Sequence, residues 1–267
     1  MNFKRRVRLL LLILLLQVTV AVSLSSANLL KMVRASQVYM KERALRPKET
    51  FVVLGKFTFS DKNSLAGWEE KVFKGRTFYK VLSDNERSFL KSSSQGASSG
   101  LYKKIDQRVT PDLHLAWKWR AITFPQKKEP GKLASRGQDD FAARIYLVFP
   151  GSNLWNSRVI EYIWDEKIPE GTVASSPFSG NVKLFVIRSG KAAEGDEGWQ
   201  KEDRNIYEDY VKLFGEKPTR SLQAIALMSD SDNTKTNSES DFGDIILTLR
   251  QRQPELWAHK TQSGQKV

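Results

Sequence analysis

The stretch LHLAWKWRAIT, residues 113–123, decides the fold class of this chain. Every second residue is large and apolar, in the order Leu113, Leu115, Trp117 and Trp119. The residues between them are small, polar or charged, in the order His114, Ala116, Lys118 and Arg120. An alternation with period two is typical of a β-strand with one face in an apolar core, because successive side chains point to opposite sides. The stretch therefore predicts a strand whose odd positions face the core.

Ten further segments of alternating or β-branched sequence are separated by clusters of Gly, Pro, Asn and Ser. They span residues 50–59, 68–73, 77–82, 87–93, 99–105, 141–149, 158–165, 181–188, 222–228 and 244–250. Many strands without intervening helices are typical of an antiparallel sandwich or barrel and not of an α/β fold. One helix is predicted late in the chain, over residues 204–214, with Asn205 as its N-cap and Gly215 as its stop.

The first 27 residues have the features of a secretory signal peptide. A basic start precedes an apolar run over residues 9–22, and small residues at 21–23 and 25–27 offer two cleavage sites. A retained membrane anchor is the alternative, since the run extended to Leu30 approaches about 20 residues. Either way we expect the folded part outside the cytoplasm, periplasmic or secreted. Membrane contact is then expected only through an uncleaved N-terminal segment.

The remainder of the chain divides into three predicted regions. Residues 28–49 have loosely helical spacing and form a helical lead-in, residues 50–252 form a single β-sandwich domain, and residues 253–267 form a disordered tail. Within the domain, residues 125–138 are polar and basic, which predicts a mobile loop.

Composition excludes several classes of site. The chain has no cysteine, which rules out disulfides, thiol nucleophiles and thiolate metal ligands. It has only two histidines and neither a phosphate-binding loop nor a dinucleotide fingerprint. The net charge is +13, and it falls to +9 without residues 1–27, which hold four basic residues and no acid. This positive charge favours polyanionic glycans or phospholipid as partners. The alternative is that the charge serves only to keep the protein in solution. Export argues against nucleic acid as a partner.

Strand parity places a polar patch on one sheet. If the strands over residues 113–121, 141–149 and 158–165 are neighbours, their outward positions lie together. We predict that these residues bind a ligand: Lys118, Arg120, Arg144, Tyr146 and Glu161. The alternative is an ordinary solvated face held by cross-strand ion pairs.

An acidic loop lies between the last two predicted strands. It belongs to the stretch MSDSDNTKTNSESDFGDIILTL over residues 228–249. Its hard oxygen ligands suit a structural Ca²⁺. The candidate metal ligands are Asp230, Asp232, Asn233, Asp241 and Asp244. The spacing is not that of an EF-hand, and Lys235 would oppose a cation. The alternative is that Asp and Asn satisfy turn amides and brace the sandwich.

Paired carboxylates leave glycoside chemistry open, because that reaction requires two acids about 5–10 Å apart across a sugar. The available acids are Asp139, Asp140, Glu161, Asp165, Asp209 and Asp244. No pair among them is favoured by the sequence, so no catalytic residue is assigned.

Five segments resemble an exported bacterial family catalogued as domain-of-unknown-function family 3047. They are LAWKWR (115–120), DDFAARIYLVF (139–149), EYIWD (161–165), WQKEDRNIYEDYVKLFGEKP (199–218) and the segment 229–245, which opens with SDSDNT. The family's loop usually begins TDSDNT, so Ser229 is a departure. More distantly, residues 55–81 resemble the first strands of galactose-binding-like jelly rolls. The resemblance lies in the pattern of short strands and in the aromatic residues Phe57, Phe59 and Trp68.

These resemblances imply export and a β-sandwich of jelly-roll type, and the family name implies no activity. Galactose-binding-like sandwiches often bind glycans and often carry a structural Ca²⁺. The fold is therefore predicted as an all-β antiparallel sandwich of jelly-roll (galactose-binding-like) type, with one short helix inserted late and an N-terminal hydrophobic signal helix. The predicted function is non-catalytic binding of a polysaccharide or cell-envelope glycan. The alternatives are a hydrolase or lyase that acts on an envelope polymer, and a structural or assembly partner of an envelope complex.

Overall fold

Two facing β-sheets make up most of the described residues, which in this computed structural model are 31–34, 37, 49–84, 87–129, 131–151, 156–191 and 198–252. The strands are β1 (Glu49–Phe57), β2 (Trp68–Lys74), β3 (Phe78–Asp84), β4 (Arg87–Gln95), β5 (Ser98–Gln107), β6 (Leu113–Thr123), β7 (Ala143–Phe149), β8 (Arg158–Asp165), β9 (Val173–Ser176), β10 (Ser179–Ser189), β11 (Gln200–Asn205), β12 (Leu222–Met228) and β13 (Asn237–Arg252). The α-helix α1 covers Ile206–Phe214, and Lys62–Leu65 and Arg136–Gln138 form short 3-10 helices.

The first sheet has the strand order β11-β6-β13-β4-β3, and β1 also pairs with β13. The long strand β13 lies at its centre, antiparallel to β6 on one side and to β4 on the other. Its register against β6 breaks between Phe242 and Ile245, which makes Gly243 and Asp244 a β-bulge on the outer face.

The second sheet has the order β2-β5-β12-β7-β8-β10-β9. Its pairings are antiparallel except for β8 with β10, which run parallel. The successive strands β4, β5, β6 and β7 alternate between the two sheets, and β12 and β13 do the same. This alternation is the connectivity of a jelly roll. The predicted sandwich with one late helix is confirmed.

The main core lies between the sheets and contains the odd positions of β6. Leu113, Leu115, Trp117 and Trp119 are all buried. The ring of Trp117 stacks on that of Tyr162 in β8 at a centroid distance of 5.4 Å. Each aromatic side chain buried in this way stabilises the fold by about 1.5–3 kcal/mol relative to exposure. The face assignment made from the alternation in β6 is therefore confirmed.

A second apolar cluster covers the outer face of the second sheet. It contains Leu133, Phe141, Ile163, Ile168, Leu184 and Val186. The segment 124–141 supplies Leu133 and Phe141, and its Lys127 contacts Asp165 at 2.7 Å with both side chains almost fully buried. Burial lowers the pKa of Lys127, and the carboxylate of Asp165 opposes that shift. The segment predicted as a mobile loop is thus packed on the sheet through buried side chains.

Several predicted boundaries differ from the structure. Strands β9 and β11 were not predicted, and β13 begins at Asn237, seven residues before its predicted start. The helix begins at Ile206 because Asn205 caps it, accepting a hydrogen bond from the Glu208 N–H at 3.0 Å. The predicted N-cap and the stop at Gly215, which has a left-handed φ of 75°, are confirmed.

The chain divides into two units, Phe51–Gln251 and Met1–Thr50 with Arg252–Val267. In the second unit, residues 31–34 and 37 are helical. The predicted signal peptide (1–27), most of the predicted lead-in (28–49) and the predicted tail (253–267) lie outside the described residues. Within the described ranges, no helix is long and apolar enough to cross a bilayer. The single domain over residues 50–252 stays a prediction.

Candidate functional site

The predicted ligand patch is divided between the two sheets. Lys118 and Arg120 lie on β6 of the first sheet, whereas Arg144, Tyr146 and Glu161 lie on β7 and β8 of the second. The outer faces of two packed sheets point in opposite directions, so the five residues do not form one surface. The prediction of a common patch is wrong because the chain crosses from one sheet to the other between β6 and β7.

Arg144 is the centre of a buried ion network and is only 3% exposed. Its guanidinium donates to both carboxylate oxygens of Asp230, at 3.1 and 2.5 Å, and to Glu161 at 3.1 Å. It also donates to the backbone carbonyl of Asp139 and lies over the ring of Phe141 at 4.5 Å. Each of the three guanidinium nitrogens donates to a protein acceptor, and the side chain is buried. Arg144 and Glu161 therefore do not form a surface that a ligand could contact.

In this network, burial and the neighbouring charges shift the pKa values of the side chains in opposite directions. Burial raises the pKa of Glu161 to about 7, although Arg144 lowers it. Burial also raises the pKa of Tyr146, whose hydroxyl contacts the sulfur of Met228 at 3.5 Å. For Arg144 burial works toward a lower pKa, but the surrounding carboxylates, Asp230 foremost, outweigh it and raise the pKa. Arg144 therefore stays charged.

The five predicted metal ligands do not converge. Asp230, Asp232 and Asn233 lie in the loop before β13, but Asp241 and Asp244 lie within β13 on the first sheet. Asp241 contacts Arg120 at 2.6 Å, and Asp244 contacts Lys56 at 3.4 Å. A strand advances about 3.3 Å per residue. The early start of β13 at Asn237 therefore carries Asp241 and Asp244 away from the loop, and the predicted five-ligand site is wrong.

A different group of acids does converge at this loop. One carboxylate oxygen each from Asp140, Asp230 and Asp232 lies within 4.8 Å of the others. Asp140 accepts from the N–H and side-chain amide of Asn233, at 3.2 and 3.1 Å, and from the N–H and hydroxyl of Thr234, at 2.6 and 2.7 Å. These four bonds fill the roughly four acceptor sites of a carboxylate. Asp140 thereby braces the loop, as the alternative interpretation of the acidic stretch expects.

An open groove of about 730 Å³ crosses the outer face of the first sheet. Its floor is formed by the adjacent strands β11, β6 and β13, and its walls by residues at the end of β1 and the start of β4. The lining includes Ala116, Lys118, Trp199, Lys201, Asp203 and Asp244. Ala116 lies opposite Asp203 of β11 on one side and Ile246 of β13 on the other, at the middle of the floor. Lys118 is the member of the predicted ligand set that this groove contains.

Arg120 holds the aromatic wall of the groove in place. Its guanidinium lies 5.0 Å from the ring of Phe89 and 4.9 Å from the ring of Trp199. It also contacts Asp241 at 2.6 Å and Asp84 at 2.9 Å. Cation–π contacts and two ion pairs fix its position, so Arg120 positions Trp199 and is not itself offered to a ligand.

Gly243 in the β-bulge lets Trp199 approach the strand. A Cβ atom at this position would lie 3.1 Å from Cβ of Lys118 and 3.5 Å from the Trp199 ring. The first distance is tighter than an ordinary carbon contact. The absence of a side chain at Gly243 therefore keeps the floor of the groove open beside Lys118.

Two lysines face each other on the floor of the groove. Lys118 of β6 and Lys201 of β11 are directly opposite in register, and both are exposed. Among the described residues neither has an acidic partner, because the nearby acids are engaged elsewhere. Asp203 contacts His114 at 3.0 Å and Arg250, and Asp244 contacts Lys56. The floor of the groove is therefore locally cationic.

Two indole N–H groups of the groove lining lack partners. Nε1 of Trp117 and Nε1 of Trp199 are buried and have no hydrogen-bond acceptor among the described residues. A buried donor without a partner costs about 1–3 kcal/mol. The Trp117 ring faces the core and stacks on Tyr162, so its N–H points away from the groove, whereas Trp199 forms part of the groove wall.

The family model described as "Protein of unknown function (DUF3047)" matches residues 66–246. The chain belongs to this family. The resemblance seen in the five sequence segments is thereby confirmed. The matched range includes β6, β11 and the bulge of β13, and thus the whole floor of the groove. A search of curated proteins finds no match.

Solved structures with similar chain traces are distant. A carbohydrate esterase from the Shiga toxin-encoding bacteriophage phi24B is 12% identical, with 75% of this chain and 99% of that chain covered and a TM-score of 0.39. The mannan-recognising carbohydrate-binding module TmCBM27 is 9% identical, with 76% of this chain and 99% of that chain covered and a TM-score of 0.35. The xyloglucanase domain of NopAA from Sinorhizobium fredii is 12% identical, with 73% of this chain and 97% of that chain covered and a TM-score of 0.40. Likeness at this level says nothing about ligand or activity.

Ser229, the departure from the loop of this family, is fully buried. Its hydroxyl lies 2.6 Å from that of Ser238, and its carbonyl accepts from the hydroxyl of Thr77 at 3.1 Å. One partner lies in β13 and the other directly before β3, so the contacts fasten the loop to the first sheet, which is a structural role.

The residues that sequence reasoning missed are Trp199 and Lys201. The segment 199–205 has no apolar alternation, so its sequence does not predict a strand. Its strand character comes from pairing with β6, which only the structure reveals.

Proposed function

We propose that the protein binds a polysaccharide in the groove on the outer face of the first sheet, without cleaving it. The observation that carries this proposal is the groove itself, an open channel of about 730 Å³ lined by Trp199 and by charged and hydroxyl side chains. Sites that enclose small ligands commonly measure about 300–1,000 Å³. A sugar chain offers hydroxyls to such polar groups and C–H faces to an indole ring.

The proposed compartment is the cell envelope. The basic and apolar N-terminus has the pattern of an export signal, and the mature chain keeps a positive net charge. An envelope polysaccharide is the polymer that an exported, cysteine-free sandwich would meet there. We therefore propose an envelope glycan as the ligand and a periplasmic or secreted location.

Binding is favoured over cleavage by the state of the acids in the groove. Asp203 and Asp244 are held in ion pairs with His114, Arg250 and Lys56. A glycosidase needs one carboxyl group free to protonate the leaving oxygen and a second to act as base or nucleophile. Neither aspartate is free for that role in the described structure.

Glu202 is the acid on which a second candidate, a hydrolase, would depend, and it is ion-paired like the two aspartates. Burial raises the pKa of Glu202, although the nearby Arg188 lowers it, and a raised pKa suits a general acid. Its carboxylate also accepts from Arg188 at 2.9 Å and from the Trp119 indole at 3.1 Å. Release of reducing ends from envelope polymer, lost in Glu202→Gln while the fold is retained, would establish this candidate in place of simple binding.

A steric block tests the proposed site. Ala116→Trp fills the middle of the groove floor, and we expect it to weaken binding to a panel of immobilised bacterial polysaccharides by about tenfold or more, which is about 1.4 kcal/mol. Ala224→Trp is the matched control, since Ala224 is equally half-buried on the outer face of the second sheet. Its binding should equal that of the unmodified protein. The proposal fails if no polymer binds, or if both variants bind alike.

A further inference from the structure

We propose that the polysaccharide bound in the groove is anionic, and that Lys118 and Lys201 together recognise its negative groups. This inference rests on the proposed function and adds the chemical class of the ligand. The carrying observation is the direct cross-strand pairing of the two lysines on the groove floor.

Two like charges at directly opposite positions destabilise a sheet. The Cβ atoms of such a pair lie about 4.5–5.5 Å apart, and the repulsion lowers the stability of the fold. Here the acids of the neighbouring positions are directed away, since Asp203 contacts His114 and Arg250. Among the described residues, this pair of like charges therefore has no ion pair of its own to offset the repulsion.

The surroundings of the pair leave room for a ligand to supply the missing charge. Gly243 has no side chain to cover Lys118, and the ring of Trp199 forms the adjacent wall. A negative group placed between the two ammonium groups would accept charge-assisted hydrogen bonds from both. The C–H face of the same sugar could then contact the indole.

A lysine side chain binds an anion through its charge and places little constraint on the shape of the anionic group. An ammonium is a compact point charge with three rotatable donors, whereas a guanidinium fixes a planar, two-pronged geometry. The pair is thus suited to a carboxylate or a sulfate at varying orientation along a polymer. The shared chemistry is a repeating anionic sugar, and the probes below separate the two anions.

The test compares polymers that differ only in charge. Polygalacturonate is compared with its carboxyl-reduced form, and dextran sulfate with dextran, for binding to the full chain at low and moderate salt. We expect at least one acidic polymer to bind about tenfold more tightly than its neutral counterpart, with affinity that falls as salt rises. The polymer pair that responds identifies the anion. Equal binding of acidic and neutral members in both pairs would overturn the inference.

Variants assign the effect to the two lysines. Lys118→Gln and Lys201→Gln should each lower affinity for the acidic polymer by about fivefold or less, and the double variant by more, because exposed charge pairs contribute up to about 1 kcal/mol each. The double variant Lys71→Gln and Lys80→Gln removes the same charge from exposed strand positions outside the groove lining. It should bind nearly as well as the unmodified protein, and an equal loss in both double variants would show attraction by net charge alone and overturn the assignment.

Lys201→Glu gives a readout that distinguishes recognition from damage to the fold. It creates an opposite-charge pair with Lys118, so the melting temperature should rise while binding to the acidic polymer is lost. A fall in both would count against the inference. If Ala116→Trp abolishes binding but the lysine variants leave it unchanged, the groove stands and the anionic inference fails. If Ala116→Trp has no effect either, the proposed function itself has failed.

Discussion

Arg144 shows how a single residue with functional appearance can be structural. It is a charged side chain on an outward strand position, yet its neighbours are Asp230, Glu161 and the ring of Phe141. Burying a charge is unfavourable unless it is paired and hydrogen-bonded, and here both conditions hold. The residue therefore joins β7, β8 and the acidic loop into one unit.

Arg144→Met should destabilise the protein strongly. Methionine keeps much of the side-chain volume but leaves the carboxylates of Asp230 and Glu161 buried without their cation. Breaking a buried ion pair in this way costs about 3–5 kcal/mol. Urea denaturation measures the loss, with Arg76→Met as the control because Arg76 makes an exposed pair with Glu70. That control should lose no more than about 1 kcal/mol. Similar losses in the two variants would show that the Arg144 network adds no stability.

Among the elements, helix α1 depends on its first capping residue. Asn205 accepts from the Glu208 N–H and also donates to the carbonyl of Pro111 at 2.8 Å. Asn205→Ala removes both bonds and should cost about 1–2 kcal/mol in the free energy of unfolding. Asn205→Ser keeps a capping hydroxyl and removes the amide donor to Pro111, so it should cost less. Equal losses in thermal or urea denaturation would assign the whole effect to the Pro111 bond.

The acidic loop should hold its shape without a metal ion. Asp140 already accepts four hydrogen bonds from Asn233 and Thr234, and Asp230 is bound to Arg144. We expect the melting temperature to be the same in EDTA and in millimolar Ca²⁺. A cation at a hundredfold excess over its Kd would add about 2.7 kcal/mol, which is a shift of several degrees for a domain of this size. Such a shift would restore the calcium interpretation, and Asp140→Asn would then be expected to remove it.

Strands with a regular alternation were predictable, and those without it were not. The alternation in β6 identified the core positions of Trp117 and Trp119, and the structure buries both. By contrast β11, with the sequence QKEDRN, has no apolar position, and it is a strand only because β6 pairs with it. Local sequence holds no signal for a strand that is specified by its neighbour.

At the scale of the whole molecule, the sheet to which a strand belongs was not predictable. Parity assigns the faces of β6, β7 and β8 correctly, but it does not say that the jelly-roll connection sends β6 to one sheet and β7 and β8 to the other. For that reason Lys118 was correctly placed on an outer face but was grouped with Arg144 of the opposite sheet. The site depends on long-range pairing, which residue patterns do not encode directly.

The stability of the whole sandwich should fall as pH rises from about 5 to 8. Burial holds the pKa of Glu161 at about 7 in the fold, against 4.5 as its ordinary value, and it also raises the pKa of Asp139. The folded state therefore binds more protons than the unfolded state in this range. The stability gained from the proton on Glu161 is full below about pH 4.5 and is lost as pH rises through 7, by up to about 3 kcal/mol.

Glu161→Gln mimics the protonated form, so urea denaturation between pH 5 and 8 should show a shallower fall in stability for this variant. Glu129→Gln, at an exposed position, should keep the original slope. A stability that rises with pH across this range, or an equal slope in Glu161→Gln, would contradict the assignment of the raised pKa to Glu161.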